Sequence, residues 1–195
     1  MPLARRSGTR HQASRRRPQE SKGGGQRRAW SYLSRSAGVT DQIGRLIGRS
    51  LKGGEVLALY GELGVGKTAL TRGIAVGLGA PPRAVSSPTF VLINLYHGRL
   101  QLAHVDLYRI RSEAELDHLG LSDFADDRTV LAIEWADRAG TALPPDRVEV
   151  WLGHHTEQSR RVTMRATGTR SAALLARFKG LLVTAPLRAA KGRVR

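Results

Sequence analysis

The residues of this chain best suited to chemistry stand in "GELGVGKT", Gly61 to Thr68. Gly61, four spacers and then Gly66-Lys67-Thr68 is the spacing of a phosphate-binding loop. Gly61, Gly64 and Gly66 allow a close backbone approach that side chains would forbid. Successive amide N–H groups, here from Glu62, Leu63, Gly64, Val65, Gly66 and Lys67, then turn toward a β-phosphate. A helix opening after the loop adds the positive end of its dipole. Lys67 supplies a point charge to the β- and γ-phosphates, and Thr68 a hydroxyl ligand to Mg²⁺. The expected ligand is a nucleoside triphosphate with Mg²⁺.

A cation held this way needs a carboxylate at the end of a neighbouring strand. Two candidates exist: Glu134 ends "VLAIE" and Asp106 ends "LQLAHVD". The apolar run leading straight into Glu134 favours it as the metal ligand. Asp106 is expected beside it, orienting the attacking water or reaching Mg²⁺ through water. Thr89, in "SSPTF", stands 21 residues after Thr68. A loop threonine at such a place senses a γ-phosphate in switch proteins, although an ordinary proline turn explains it equally well. His104 reads as a packing residue rather than a base. The Asn/Thr-Lys-x-Asp tetrapeptide of guanine specificity does not occur, so ATP is expected.

The elements that must position these groups are legible around them. "TDQIGRLIGRSL" reads as an amphipathic helix with Ile43, Leu46, Ile47 and Leu51 on one face, capped by Thr40 or Asp41. "EVLALYG" fits a buried strand, and Thr68 to Leu78 a helix that stops at Gly79. This strand–loop–helix order is the context that the phosphate motif requires. "VLINLY" and "LQLAHVDLY", joined by "HGR", predict an antiparallel hairpin. Ser112 and Glu115 form a capping box for a short helix. "TVLAIEW", "DRVEVWL" and "RRVTMRA" follow as strands, and "SAALLARFKGLL" as a C-terminal helix. The pattern predicts an α/β fold, a P-loop NTPase-like mixed sheet flanked by helices.

The charge of +16 is unevenly spread. Residues 1–28 hold nine Lys/Arg against one acid, and residues 158–195 hold ten against none, while the segment between holds thirteen against fifteen. The expected organisation is a basic disordered tail over 1–28, a nucleotide-binding domain over 29–166, and a C-terminal helix with a basic tail over 167–195. Such tails bind phosphate backbones by counterion release or remain solvated arms. With no Cys there is no disulfide framework and no thiolate zinc site. The lack of Cys fits a reducing cytoplasm, where the chain is expected, and no membrane association is expected, as no apolar run has membrane-spanning length.

Taken in order, "YGELGVGKTALTRGIAVGLG", "VSSPTFVLINLYHG", "HVDLYRI", "ELDHLGL" and "IEWADR" resemble the bacterial TsaE (YjeE) ATPase family, from about Val39 to about Arg161. The resemblance implies a P-loop ATPase required for threonylcarbamoyladenosine at position 37 of tRNAs that read codons beginning with A. It implies binding to a heterodimer of a threonylcarbamoyl transferase subunit and its paralogous partner, which ATP hydrolysis resets between rounds, with tRNA met indirectly or through the basic tails. It places the phosphate loop on Glu62 to Thr68, the Mg²⁺ ligands on Thr68 and Glu134, the acid of "DLYR" on Asp106 and the switch threonine on Thr89. It also implies Thr40 on the adenine side, with Gly44 four residues on, a late basic residue near the nucleotide aligned loosely with Arg161, and Trp135 as a fluorescent reporter. A small-molecule kinase with Arg109 and Arg111 as lid residues is the alternative. A nonenzymatic RNA-binding module is disfavoured by the intact Lys67-Thr68 pair.

Overall fold

The computed structural model describes residues 29–187 except positions 89 and 125; the two outermost basic segments and Thr89 therefore lie outside the described residues. The strands are β1 (Ala29–Ser34), β2 (Val56–Tyr60), β3 (Ile93–His97), β4 (Gln101–Asp106), β5 (Thr129–Glu134), β6 (Val148–His154) and β7 (Arg160–Ala166). The helices are α1 (Ala37–Ser50), α2 (Lys67–Gly77), α3 (Glu113–Asp117) and α4 (Thr169–Thr184). The sheet runs β1-β7-β6-β2-β5-β4-β3. β2 pairs in parallel with β5 and β6, and β4 in parallel with β5, while the β3–β4, β6–β7 and β1–β7 pairs are antiparallel. This is the expected mixed sheet, with its parallel centre and antiparallel margins.

Every residue of β2 and β5 is buried, as a parallel core covered on both faces requires. Alternation along the strands divides the core. Leu57, Leu59, Val130, Ala132, Val150, Val162 and Met164 face α1, α2 and α4. Ala58, Ala103, Val105, Leu131 and Ile133 face the other side, against Leu116 of α3, Ile110 and Ala136.

α1 begins earlier than the sequence predicts. Ser36, with extended φ of −163°, is its N-cap, and its hydroxyl accepts from the Val39 N–H at 3.2 Å. Thr40 lies inside the helix, not at its cap, because the serine hydroxyl had already satisfied a first-turn donor. The hairpin of β3 and β4 forms as predicted, but Val91 and Leu92 belong to the preceding turn, where both N–H groups donate to Pro88 O. No local periodicity in Ala29–Ser34 marks β1 as a strand. Among the described residues it is an edge strand paired with β7 alone, so its extended state comes from a pairing with residues some 130 positions away.

α1 and α2 pack unusually closely. A Cβ added to Gly44 would lie 2.2 Å from Leu70 O, and one on Gly48 2.3 Å from Ile74 O; the reverse holds for Gly73 against Asp41 O and Gly77 against Arg45 O, both 2.3 Å. Two pairs of glycines four residues apart thus bring the backbones together and fix the helix that follows the glycine loop after β2. The β3–β4 turn locks this pair at its far end: Arg99 N–H donates to Leu78 O, and its guanidinium donates to Gly48 O and Leu51 O. No helix among the described residues is long and apolar enough to cross a membrane.

Candidate nucleotide site

The loop after β2 takes the backbone path that its glycines allow. Gly61, Gly64 and Gly66 have φ of 143°, 73° and 111°, a region that side chains rarely adopt. At Gly61 space is short as well, since a Cβ would meet Leu152 O of β6 at 2.5 Å. At Gly64 and Gly66 a Cβ would meet nothing within 4 Å. Those two positions therefore face open space, and Gly66 heads α2 with no side-chain cap. The first-turn amides of α2 lack intrahelical partners by geometry, so the loop offers an uncapped, anion-seeking helix start over an open face. These features fit a phosphate.

The carboxylates arrive from the sheet. Asp106 and Glu134 are register partners at the carboxyl ends of β4 and β5, and Leu59 of β2 pairs with Glu134. The parallel centre thus delivers both acids to the edge from which the loop departs. Both are about 2% exposed. Thr68 Oγ1 donates to Glu134 Oε2 at 3.0 Å, and His104 Nε2 lies 2.7 Å from Glu134 Oε1. Against a carboxylate the imidazole is the donor, which places its proton on Nε2. His104 is fully enclosed, and its Nδ1 has no hydrogen-bond partner among the described residues. Asp106 is held by its own turn: Oδ1 accepts from the Tyr108 N–H at 2.9 Å, and Oδ2 from Ser87 Oγ at 3.3 Å. Among the described residues no group of three His, Asp or Glu side chains could ligate a metal together. A cation at Thr68 and Glu134 would draw the rest of its shell from phosphate oxygens and water, as Mg²⁺ commonly does.

Lys67 is 4% exposed and folds back on its own loop. Its ammonium donates to Gly61 O at 2.8 Å and Glu62 O at 3.0 Å, and sits 3.7 Å above the Trp135 ring. Burial lowers the lysine pKa, and the nearby charges of Glu134, Asp106 and Asp137 oppose that shift. Trp135 is one of two described non-glycine residues with positive φ, at 56°. That conformation costs a bulky residue about 1–3 kcal/mol, and it turns the chain out of β5 into the short helix Ala136–Arg138 with the indole under Lys67.

The loop of "SSPTF" is tied to the same edge. Tyr96 OH donates to Ser86 O, Ser87 reaches Asp106, and the Asp106 N–H donates to Leu92 O. Thr89 itself lies outside the described residues. Glu62, Leu63 and Gly64 are exposed at the loop tip and Val65 is buried beneath it. Thr40 is buried, with its hydroxyl 2.9 Å from Ser34 Oγ. Ser34 pairs with Arg160 across β1 and β7, and Arg160 Nε donates to Val65 O at 3.3 Å. Thr40 is thereby linked to the loop through two residues. Arg161, the loosely aligned candidate, is exposed and alternates onto the sheet face opposite Val162 and Met164.

Sequence reasoning passed over Arg160 and set His104 aside. The signal for His104 was its position two residues before Asp106, since alternate residues of a strand share a face. The signal for Arg160 was absent, because the choice between adjacent arginines depends on the β7 register alone.

Residues 34–162 match the family model described as threonylcarbamoyl adenosine biosynthesis protein TsaE. Similar proteins include the tRNA threonylcarbamoyladenosine biosynthesis protein TsaE of Treponema pallidum, 38% identical over 68% of this chain and 97% of that protein. The protein of the same name from Bacillus subtilis is 39% identical over 67% of this chain and 82% of its own length. The crystal structure of Bacillus subtilis YdiB superposes with a TM-score of 0.66 at 29% identity, over 78% of this chain and 95% of that one. With a glycine loop, two strand-end acids and a parallel-centred sheet in the arrangement described, and with these matches over about two thirds of its length, the chain belongs to the TsaE family of threonylcarbamoyl adenosine biosynthesis proteins.

Proposed function

We propose that this chain is a Mg²⁺-dependent ATPase whose hydrolysis serves threonylcarbamoyladenosine formation at position 37 of tRNAs reading codons that begin with A. The observation that carries the reading is the 3.0 Å bond from Thr68 to Glu134 at the mouth of an open glycine loop. It pairs the one hydroxyl and the one carboxylate that a cation on a triphosphate needs. Mg²⁺–ATP supplies the phosphoryl group and the charge neutralisation that its transfer to water requires.

The chain's own residues bind and orient. Glu62 to Thr68 wrap the phosphates with backbone amides. The Lys67 ammonium exchanges two loop carbonyls for phosphate oxygens, a short movement from a position already at the loop. Glu134, fixed by His104, is the metal-side carboxylate. Asp106 accepts a hydrogen bond from the attacking water, and Thr89 follows the γ-phosphate. Thr40 lies on the adenine side, and we assign the late basic role to Arg160, which touches the loop, in preference to Arg161. The energy is spent on a partner, a threonylcarbamoyl transferase subunit with its paralogous subunit, which the chain binds and resets.

The test is hydrolysis measured alone and with the purified heterodimer. Wild type is expected to be slow alone and stimulated by the partners. Lys67→Ala and Glu134→Ala are expected to lose about 100-fold or more of the stimulated rate. Absence of stimulation would overturn the partner assignment, and phosphate appearing on a metabolite rather than in solution would make the chain a kinase.

A further inference from the structure

Near Trp135 a cavity of about 720 Å³ opens between the turn after β4 and the short helix after β5. Its walls are Tyr108, Arg109, Arg111, Glu115 and Arg138. Three guanidinium groups face one carboxylate there, and among the described residues none of the three forms an ion pair. The carboxylate is engaged elsewhere, since Glu115 Oε2 accepts from the Arg111 backbone N–H at 2.9 Å.

The cations are interleaved with rings. Arg138 donates to Ile110 O at 3.0 Å and lies 5.3 Å over Tyr108 and 5.7 Å over Trp135. Arg109 lies 4.5 Å over Phe90. Phe90 is 82% exposed and Tyr108 40%, so both rings keep surface open to solvent. Guanidinium groups that form no ion pair among the described residues, alternating with exposed aromatic faces, are the chemistry of single-stranded nucleic acid contact, phosphates on the cations and bases on the rings. An acidic peptide would also meet the cations, but it leaves the rings without a use.

We propose that this cavity contacts unpaired RNA, with Arg109, Arg111 and Arg138 on successive phosphodiesters and Phe90 as a stacking face for a base. The choice of RNA rests on the tRNA-modification reading above; the cation and ring geometry does not. The site stands next to the nucleotide loop, so RNA held there would adjoin Trp135 and, through it, Lys67.

The experiment uses the full chain with both basic tails, so that their contribution is constant. Binding of a synthetic anticodon stem-loop RNA is titrated across salt concentration for wild type, for Arg109→Ala/Arg111→Ala and for Phe90→Ala, with affinity for a fluorescent ADP analogue and thermal unfolding as controls. The double variant is expected to lose roughly tenfold in RNA affinity and to flatten the log–log salt slope by about 1.4, two phosphates' worth. Phe90→Ala is expected to weaken binding about fivefold or more with the slope unchanged. ADP affinity and melting temperature stay at wild-type values. Unchanged RNA affinity and slope in both variants would overturn the proposal, and so would a loss of affinity for the transferase heterodimer alone. Heterodimer stimulation of wild-type hydrolysis is read separately, so a chain that binds RNA here without being stimulated refutes the partner reading and leaves the RNA contact standing.

Discussion

Glu134 is the residue on which the proposed chemistry turns, and it does not hold itself in place. A buried carboxylate needs donors on its oxygens, and it has one on each, Thr68 on Oε2 and His104 on Oε1. When a cation takes the Thr68 side, His104 is the donor that remains. Removing it as His104→Ala is expected to cost about 1–3 kcal/mol of stability by leaving a buried oxygen unpaired. It is also expected to raise the Mg²⁺ concentration for half-maximal hydrolysis about tenfold or more. His104→Gln, which keeps an N–H donor, should recover most of the Mg²⁺ response. Thermal unfolding and Mg²⁺ titration of hydrolysis separate the two effects. A loss of stability with an unaltered Mg²⁺ response would reduce His104 to a packing residue, which is how the sequence alone presents it.

Among the elements, the α1–α2 pair controls where the glycine loop before α2 points, and glycine controls the pair. Gly44 and Gly48 meet Gly73 and Gly77 with no room for a methyl group on any of the four. Gly48→Ala forces a carbon to 2.3 Å from Ile74 O, a backbone atom that cannot swing aside. The expected loss is about 1–3 kcal/mol, with the helices pushed apart. Gly180→Ala in α4 is the matched control, since an added Cβ there meets nothing within 4 Å and Gly180 is exposed. It should instead stabilise by about 0.5–1 kcal/mol through helix propensity. Thermal unfolding of both variants checks the pair, and stabilisation of both would mean that helix propensity outweighs close packing at Gly48.

At the scale of the whole molecule, α4 belongs to the core despite lying beyond the family-matched residues 34–162. Leu174, Leu175 and Phe178 are fully buried in the same cluster as α1 and α2. Arg177 reaches across to Glu55, 3% exposed, at 2.6 Å, and also donates to Ser50 O at 2.7 Å. Asp146, before β6, accepts from the Arg170 and Ser171 N–H groups and so caps the helix from a distant loop. A chain ending at residue 166 would expose that apolar patch and leave Glu55 buried without its cation, a cost of about 3–5 kcal/mol for the ion alone. We expect residues 29–187 to unfold cooperatively and residues 29–166 to show no cooperative melt. A cooperative melt of the shorter chain near the same temperature would restore the boundary read from the sequence.

The sequence by itself determined the glycine loop, the strand before it and the helix after it, the β3–β4 hairpin, the mixed sheet and the placing of two acids at strand ends. Each of these is written in local periodicity or in fixed spacing, which neighbouring residues alone can express. Tertiary structure decided what depends on partners distant in the chain. It made Ala29–Ser34 a strand by pairing it with β7, and turned Arg160 rather than Arg161 toward the loop through one residue of register. It placed His104 on Glu134, thirty positions away, and drew α4 into the core. Spacing names the residues proposed to bind a phosphate, whereas the donors that hold them in position come from strands brought together only when the sheet assembles.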